Sequence, residues 1–97
     1  MPKAYWVTTY RSVSNPDALA AYSKIAGPAI KEAGGRFIVR GVPAHTFEHG
    51  LKERTVVIEF DSLDKAMAAH ETPGYREALK ALGNACERDM RVVEGAE

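Results

Sequence analysis

Tyr22, His70 and Tyr75 are the residues whose types could do acid–base work. A histidine titrates near neutral pH and can take a proton, while a tyrosine hydroxyl can donate a hydrogen bond to an enolate. Tyr22 falls on the apolar stripe of a first helix, and His70 and Tyr75 flank a Thr72-Pro73 break in a second. A helix break beside a sheet leaves an irregular gap, where a pocket with a few polar tips can form. The other role open to these three is packing, as a half-buried, hydrogen-bonded histidine and two core tyrosines. Arg40 and Glu59, with Arg36 nearby, make a second set. If the hairpin between them turns at His49-Gly50, Arg40 faces Glu59 across the ladder on the uncovered side of a sheet. Such a pair is either an ion pair that sets register or dimer geometry, or a ligand anchor. In the second role the planar guanidinium fork holds a carboxylate or phenolate. A longer turn moves this pairing.

Other polar residues carry less. His45 and His49 share one face of an extended arm, but a third ligand is missing and no metal site is expected. His70 as a haem ligand lacks an attachment motif and a second axial residue, so no cofactor is expected. Cys86 reads as a buried, inert thiol on the second helix's stripe. Glycine-rich phosphate loops, paired-carboxylate signatures and nucleophile elbows are not found.

The elements that must position these groups follow from periodicity. Residues 4–11 are aromatic and β-branched, which predicts a strand. Asn15, Pro16 and Asp17 are an N-cap, a first-turn proline and a dipole-complementing acid. Leu19, Tyr22, Ala26, Ala29, Ile30 and Ala33 follow at helical spacing. Pro28 inside that stripe predicts a kink, or a restart after Gly27. Gly34-Gly35 stops the helix. Residues 36–42 form a second strand, with Phe37 and Val39 on one face and Arg36, Ile38 and Arg40 on the other. Residues 54–60 form a third, with Val56, Ile58 and Phe60 on its apolar face. Asp61-Ser62 caps the second helix, Thr72-Pro73 restarts it, and residues 90–94 supply a last strand.

This β-α-β-β-α-β order predicts a ferredoxin-like α+β sandwich: one four-stranded antiparallel sheet with the helices on one face. The bare face would then carry Ile38, Val57, Val93 and one set from the first strand, taken as Trp6, Thr8 and Tyr10. That is too apolar for a solvated surface, so two copies are expected to pack sheet to sheet as a homodimer.

Composition bounds the rest. Ninety-seven residues, 45% hydrophobic and 27% charged, make a single globular domain over residues 1–97. Thirteen basic residues balance thirteen acidic ones, which removes the cationic footprint of nonspecific nucleic-acid binding. One cysteine cannot form an internal disulfide, and the opening residues lack a signal peptide's apolar run. A cytoplasmic location without membrane insertion is therefore expected.

Several blocks then resemble a known family: Ala4-Tyr5-Trp6-Val7, Gly34-Gly35-Arg36-Phe37-Ile38-Val39-Arg40-Gly41, Val57-Ile58-Glu59-Phe60-Asp61-Ser62, Thr72-Pro73-Gly74-Tyr75 and Val92-Val93-Glu94-Gly95. Together they resemble the domain of unknown function 1330 family, within the dimeric α/β-barrel superfamily. The resemblance spans nearly the whole chain and implies the fold and the dimer. Superfamily relatives include cofactor-free monooxygenases, isomerases, haem proteins and effector-sensing domains, and fold does not choose among them. This chain departs from the family pattern at Val42, where a second glycine is common, and at His70, where an aromatic is. The functional expectation is a small protein that binds an oxygenated or aromatic metabolite, with cofactor-independent isomerase or monooxygenase activity as an option. In that scheme His70 is the base, Tyr22 and Tyr75 are donors, and Arg40, Arg36 and Glu59 contact the ligand. The alternative is a noncatalytic ligand-sensing or stress-accessory module.

Overall fold

Alternation along the first strand decides what lies inside. Residues Ala4–Val13 form β1, and Ala4, Trp6, Thr8 and Tyr10 are all buried while their neighbours are not. The computed structural model describes residues 2–96. Asn15 caps α1 (Pro16–Glu32), its side chain accepting from the Ala18 amide at 3.1 Å. Of the kink and the restart expected at Pro28, the restart does not occur, and Pro28 lies inside one helix. It sits on the exposed side, where the carbonyl it leaves unbonded can be hydrated. Gly34, at φ 97, ends the helical run.

After this come β2 (Arg36–Gly41), β3 (Thr55–Phe60), α2 (Leu63–His70), α3 (Pro73–Leu82) and β4 (Cys86–Glu94). Ser62 caps α2 by accepting from Lys65, and Thr72 caps α3 by accepting from Tyr75. The strands form one antiparallel sheet in the order β2-β3-β1-β4. This is the ferredoxin-like α+β plan, with the second helix in two pieces. Trp6 joins the layers: its indole N–H donates to the Ala66 carbonyl at 2.9 Å, and its ring meets Phe60 and Tyr75, each at 5.1 Å between centroids.

Four sequence expectations are corrected. Trp6, Thr8 and Tyr10 face the helices, so the bare face carries Tyr5, Val7 and Thr9 instead. Both alternating sets are aromatic or β-branched, so periodicity alone did not separate them. The β2–β3 hairpin does not close at His49-Gly50; residues 42–54 form a long loop, with a local turn where the Gly50 amide donates to the Phe47 carbonyl. Arg40 consequently does not face Glu59. Arg36 pairs with Glu59, and a bulge at Ile38 reverses the alternation so that Arg40 lies opposite Val56 on the helix-covered face. Cys86 belongs to the start of β4 rather than to the preceding helix, because Gly83 at φ 54 ends α3.

The outline is a slab of 36 × 33 × 16 Å, with a radius of gyration of 13.4 Å against about 12.5 Å for a compact chain of this length. Its accessible surface of 6,363 Å² exceeds the roughly 5,500 Å² of a typical monomer of this mass. A sheet covered on one side has this shape.

Gly35 is where layers approach most closely. A Cβ there would lie 2.6 Å from an Ile30 methyl, 2.9 Å from an Ile58 methyl and 3.0 Å from the Phe60 ring. Gly35→Ala should therefore destabilise the fold by about 1–3 kcal/mol, read as a lower urea midpoint. An unchanged midpoint would show that the core yields at this point.

Candidate functional site

The largest concentration of polar groups under the helices is built on Arg88. It projects from β4 beside Tyr10 of β1, its register partner. One terminal nitrogen donates to the Tyr10 and Tyr22 hydroxyls, each at 3.2 Å, and the other to the Tyr75 hydroxyl at 3.3 Å. Tyr22 and Tyr75 share a further hydrogen bond at 2.8 Å. The guanidinium also lies 4.9 Å from the Tyr22 ring centroid and 5.7 Å from that of Tyr10.

Proton counting defines what this cluster needs. A phenol carries one proton and two lone pairs. The Tyr22–Tyr75 bond consumes one of the three protons. The other two have no acceptor among the described residues. Arg88 makes no salt bridge among these residues either. Burial pushes the Tyr22 hydroxyl well above the ordinary phenol range, and Tyr75 adds to this while Arg88 draws it back. Tyr22 is therefore a neutral donor at physiological pH, not a base. Burial opposes the Arg88 charge, but the oxygens of Tyr22, Tyr75 and Tyr10 more than offset it.

These groups line a narrow cleft between α1 and the sheet, with a cavity volume of about 40 Å³. Trp6, Ala26, Ile30, Phe37, Val56 and Ile58 supply its apolar walls. Arg40 and Arg54 join Arg88 in the lining, which contains neither a carboxylate nor an imidazole. The Arg40 guanidinium lies over Phe37, 4.7 Å from the ring centroid.

Of the residues singled out from sequence, Tyr22, Tyr75 and Arg40 therefore meet at one cleft. His70 does not join them. Its ring packs against Tyr75 at 5.1 Å and opens on a separate groove with Met67, Glu71, Met90 and Val92; its Nδ1 is 3.5 Å from Glu71. Arg36 and Glu59 are on the bare sheet face. There Arg36 Nε donates to Glu59 at 3.0 Å, a second Arg36 nitrogen donates to Asp61 at 3.0 Å, and the Tyr5 hydroxyl donates to Glu59 at 3.2 Å. His45 and His49 are exposed on the long loop, and no group of three or more metal-ligating His, Cys, Asp or Glu is found among the described residues. Sequence reasoning missed Arg88 and Arg54. The signal for Arg88 was present: Gly83-Asn84 as a helix stop, then alternating Cys86, Arg88, Met90 and Val92.

The topology defines a ferredoxin-like α+β protein. The family profile described as "Domain of unknown function (DUF1330)" matches residues 3–96, and the chain belongs to that family. Solved structures share the fold. The RPA0582 protein of unknown function from Rhodopseudomonas palustris has a TM-score of 0.73 at 19% identity, covering 99% of this chain and 84% of that one. SnoaB, a cofactor-independent oxygenase from Streptomyces nogalater, has a TM-score of 0.68 at 13% identity over 100% and 96%. A putative antibiotic biosynthesis monooxygenase from Caulobacter crescentus has 0.65 at 17% over 99% and 92%. No curated protein matches. Among the described residues no helix is long and apolar enough to cross a membrane.

Arg36, more than any other neighbour, holds the Glu59 carboxyl below its usual range. A carboxylate with a depressed folded-state pKa adds stability that is complete above the unfolded value of about 4.3 and lost as pH falls through the folded one. Glu59→Gln should therefore lower the urea midpoint at pH 7, and the gap should narrow as pH falls below about 4. A gap that persists undiminished at pH 3 would exclude the ionic origin.

Proposed function

We propose that the cleft binds a small oxygenated aromatic molecule in its anionic or strongly polarised form, with the ligand oxygen meeting Arg88 and the spare phenol protons. The observation that carries this reading is the part-buried guanidinium ringed by three phenols, with donors in excess and no acid to neutralise them. Charge-assisted hydrogen bonds to an oxyanion are stronger than neutral ones, and stronger still where water is excluded. An apolar cleft with a few convergent polar groups is the usual form of a small-molecule site.

Proton abstraction inside the cleft would need a base, and its hydroxyls and guanidiniums do not supply one. The His70 base assignment is accordingly not carried forward. Binding, as in a ligand-sensing module, is the reading the groups support. Isomerase or monooxygenase chemistry is open only to a ligand acidic enough to ionise into solvent once Arg88 stabilises its anion.

The bare sheet face supports a homodimer. Val39 and Val93 are each 48% exposed there, and Tyr5, Val7, Thr9 and Val57 fill the space between them. The Arg36–Glu59–Asp61 network borders this patch at one end, and Asp89 with Arg11 and Arg91 at the other. The bare sheet forms one broad side of the slab. A second copy packed sheet to sheet would cover it. Cys86, the single cysteine, fits a reducing cytoplasmic compartment.

Hydroxylated aromatic acids should raise the melting temperature of the wild-type protein by mass action. Arg88→Gln, if circular dichroism shows it folded, should abolish that shift; equal shifts in both proteins would remove the cleft from consideration. Consumption of dioxygen with any stabilising ligand would turn the reading from module to enzyme. Sedimentation velocity at micromolar concentration should give a dimer, and a stable monomer there would end the sheet-to-sheet proposal.

A further inference from the structure

Arg88 is not the only guanidinium aimed at the cleft. Arg54, just before β3, accepts the Tyr10 amide proton on its backbone carbonyl at 2.9 Å. Tyr10 in turn pairs with Arg88. Arg54, Tyr10 and Arg88 thus form a row across three neighbouring strands on the helix-covered face. Strands are spaced about 4.8 Å apart, so the backbones of the two arginines are separated by roughly 10 Å. The Arg54 guanidinium carbon lies 6.0 Å from the Tyr10 ring centroid. Arg40 enters the adjacent row opposite Val56, turned inward by the Ile38 bulge.

The state of these two side chains points to a second acceptor. Arg54 Nε is buried without a hydrogen-bond partner among the described residues. A buried N–H left unpaired carries a desolvation cost that a suitable acceptor removes. Neither Arg54 nor Arg40 forms a salt bridge among the described residues. The Arg40 guanidinium lies over the Phe37 ring, and its N–H groups have no acidic partner among the described residues. Arg40 of β2 and Arg54 at the entry to β3, one with a stranded donor, border the same cleft, with Arg54 on the other side of Tyr10 from Arg88.

We propose that Arg54 and Arg40 form a carboxylate subsite, so that the ligand is a hydroxyaryl carboxylic acid spanning the cleft. Its ring oxygen meets Arg88, Tyr10, Tyr22 and Tyr75, and its carboxylate meets Arg54 with Arg40 beside it. The apolar walls of Phe37, Val56 and Ile58 take the ring between them. This inference rests on the cleft reading above and adds the ligand's second anionic group.

The test uses 4-hydroxybenzoate, 4-hydroxyphenylacetate and 4-coumarate, each paired with its uncharged primary amide, in calorimetric titrations. For at least one pair the acid should bind wild-type protein about tenfold or more tightly than the amide, the size of a charge-assisted hydrogen bond. Arg54→Gln should bring that ratio towards one by weakening the acid more than the amide. Exposed Arg40→Gln, the substitution less able to disturb folding, should reduce the ratio in part. A ratio near one in wild-type protein, or one that neither substitution alters, overturns the carboxylate subsite while the amide still reports on the Arg88 end. If acid and amide alike fail to bind at millimolar concentration, the cleft reading falls and takes the subsite with it.

Discussion

The alternation of the central strand is the constraint on which the other features depend. Because Trp6 points to the helices, its indole N–H can meet the Ala66 carbonyl, and its ring lies between Phe60 and Tyr75. Tyr10, four residues further along the same face, lies where Arg88 and Arg54 reach it from the strands on either side. A slip of one residue would turn Trp6 and Tyr10 out to the bare face and dismantle both the core and the cationic row.

Charge is distributed differently on the two faces of the sheet. On the bare face every strong cation named here has an acid beside it, as in Arg36 with Glu59 and Asp61, or Arg91 with Asp89. Under the helices the arginines meet phenols and aromatic rings instead. Phenols satisfy hydrogen-bond geometry without cancelling charge, so the covered face keeps a positive field that a paired carboxylate would have removed. The cost of desolvating part of such a charge without an acid beside it is a reason to look for function there.

The bulge at Ile38 links the edge strand to this pattern. Before it, Arg36 faces the bare side and takes part in the ionic network; after it, Arg40 faces the cleft. One extra residue thus assigns two arginines of one strand to opposite surfaces. The long loop of residues 42–54 makes this possible, because a tight turn would have held the register in a single phase.

Local chemistry was legible in the amino-acid order alone. The caps at Asn15, Ser62 and Thr72, the stop at Gly34 and the inward set of β3 depend on neighbours within a few residues, and all were anticipated. Tyr22 and Tyr75 could be nominated because helical spacing put each on an apolar stripe. The face of β1, the phase of β2 after its bulge and the identity of Arg88 depended on partners tens of residues away. Both faces of β1 carry strand-favouring side chains, so only packing against the helices distinguishes them. Likewise His70 packs against Tyr75, yet Tyr75 lines the cleft while His70 lines a different groove. Capping is a short-range interaction and can be read along the chain; convergence of charge across strands is long-range and is settled only when the sheet closes.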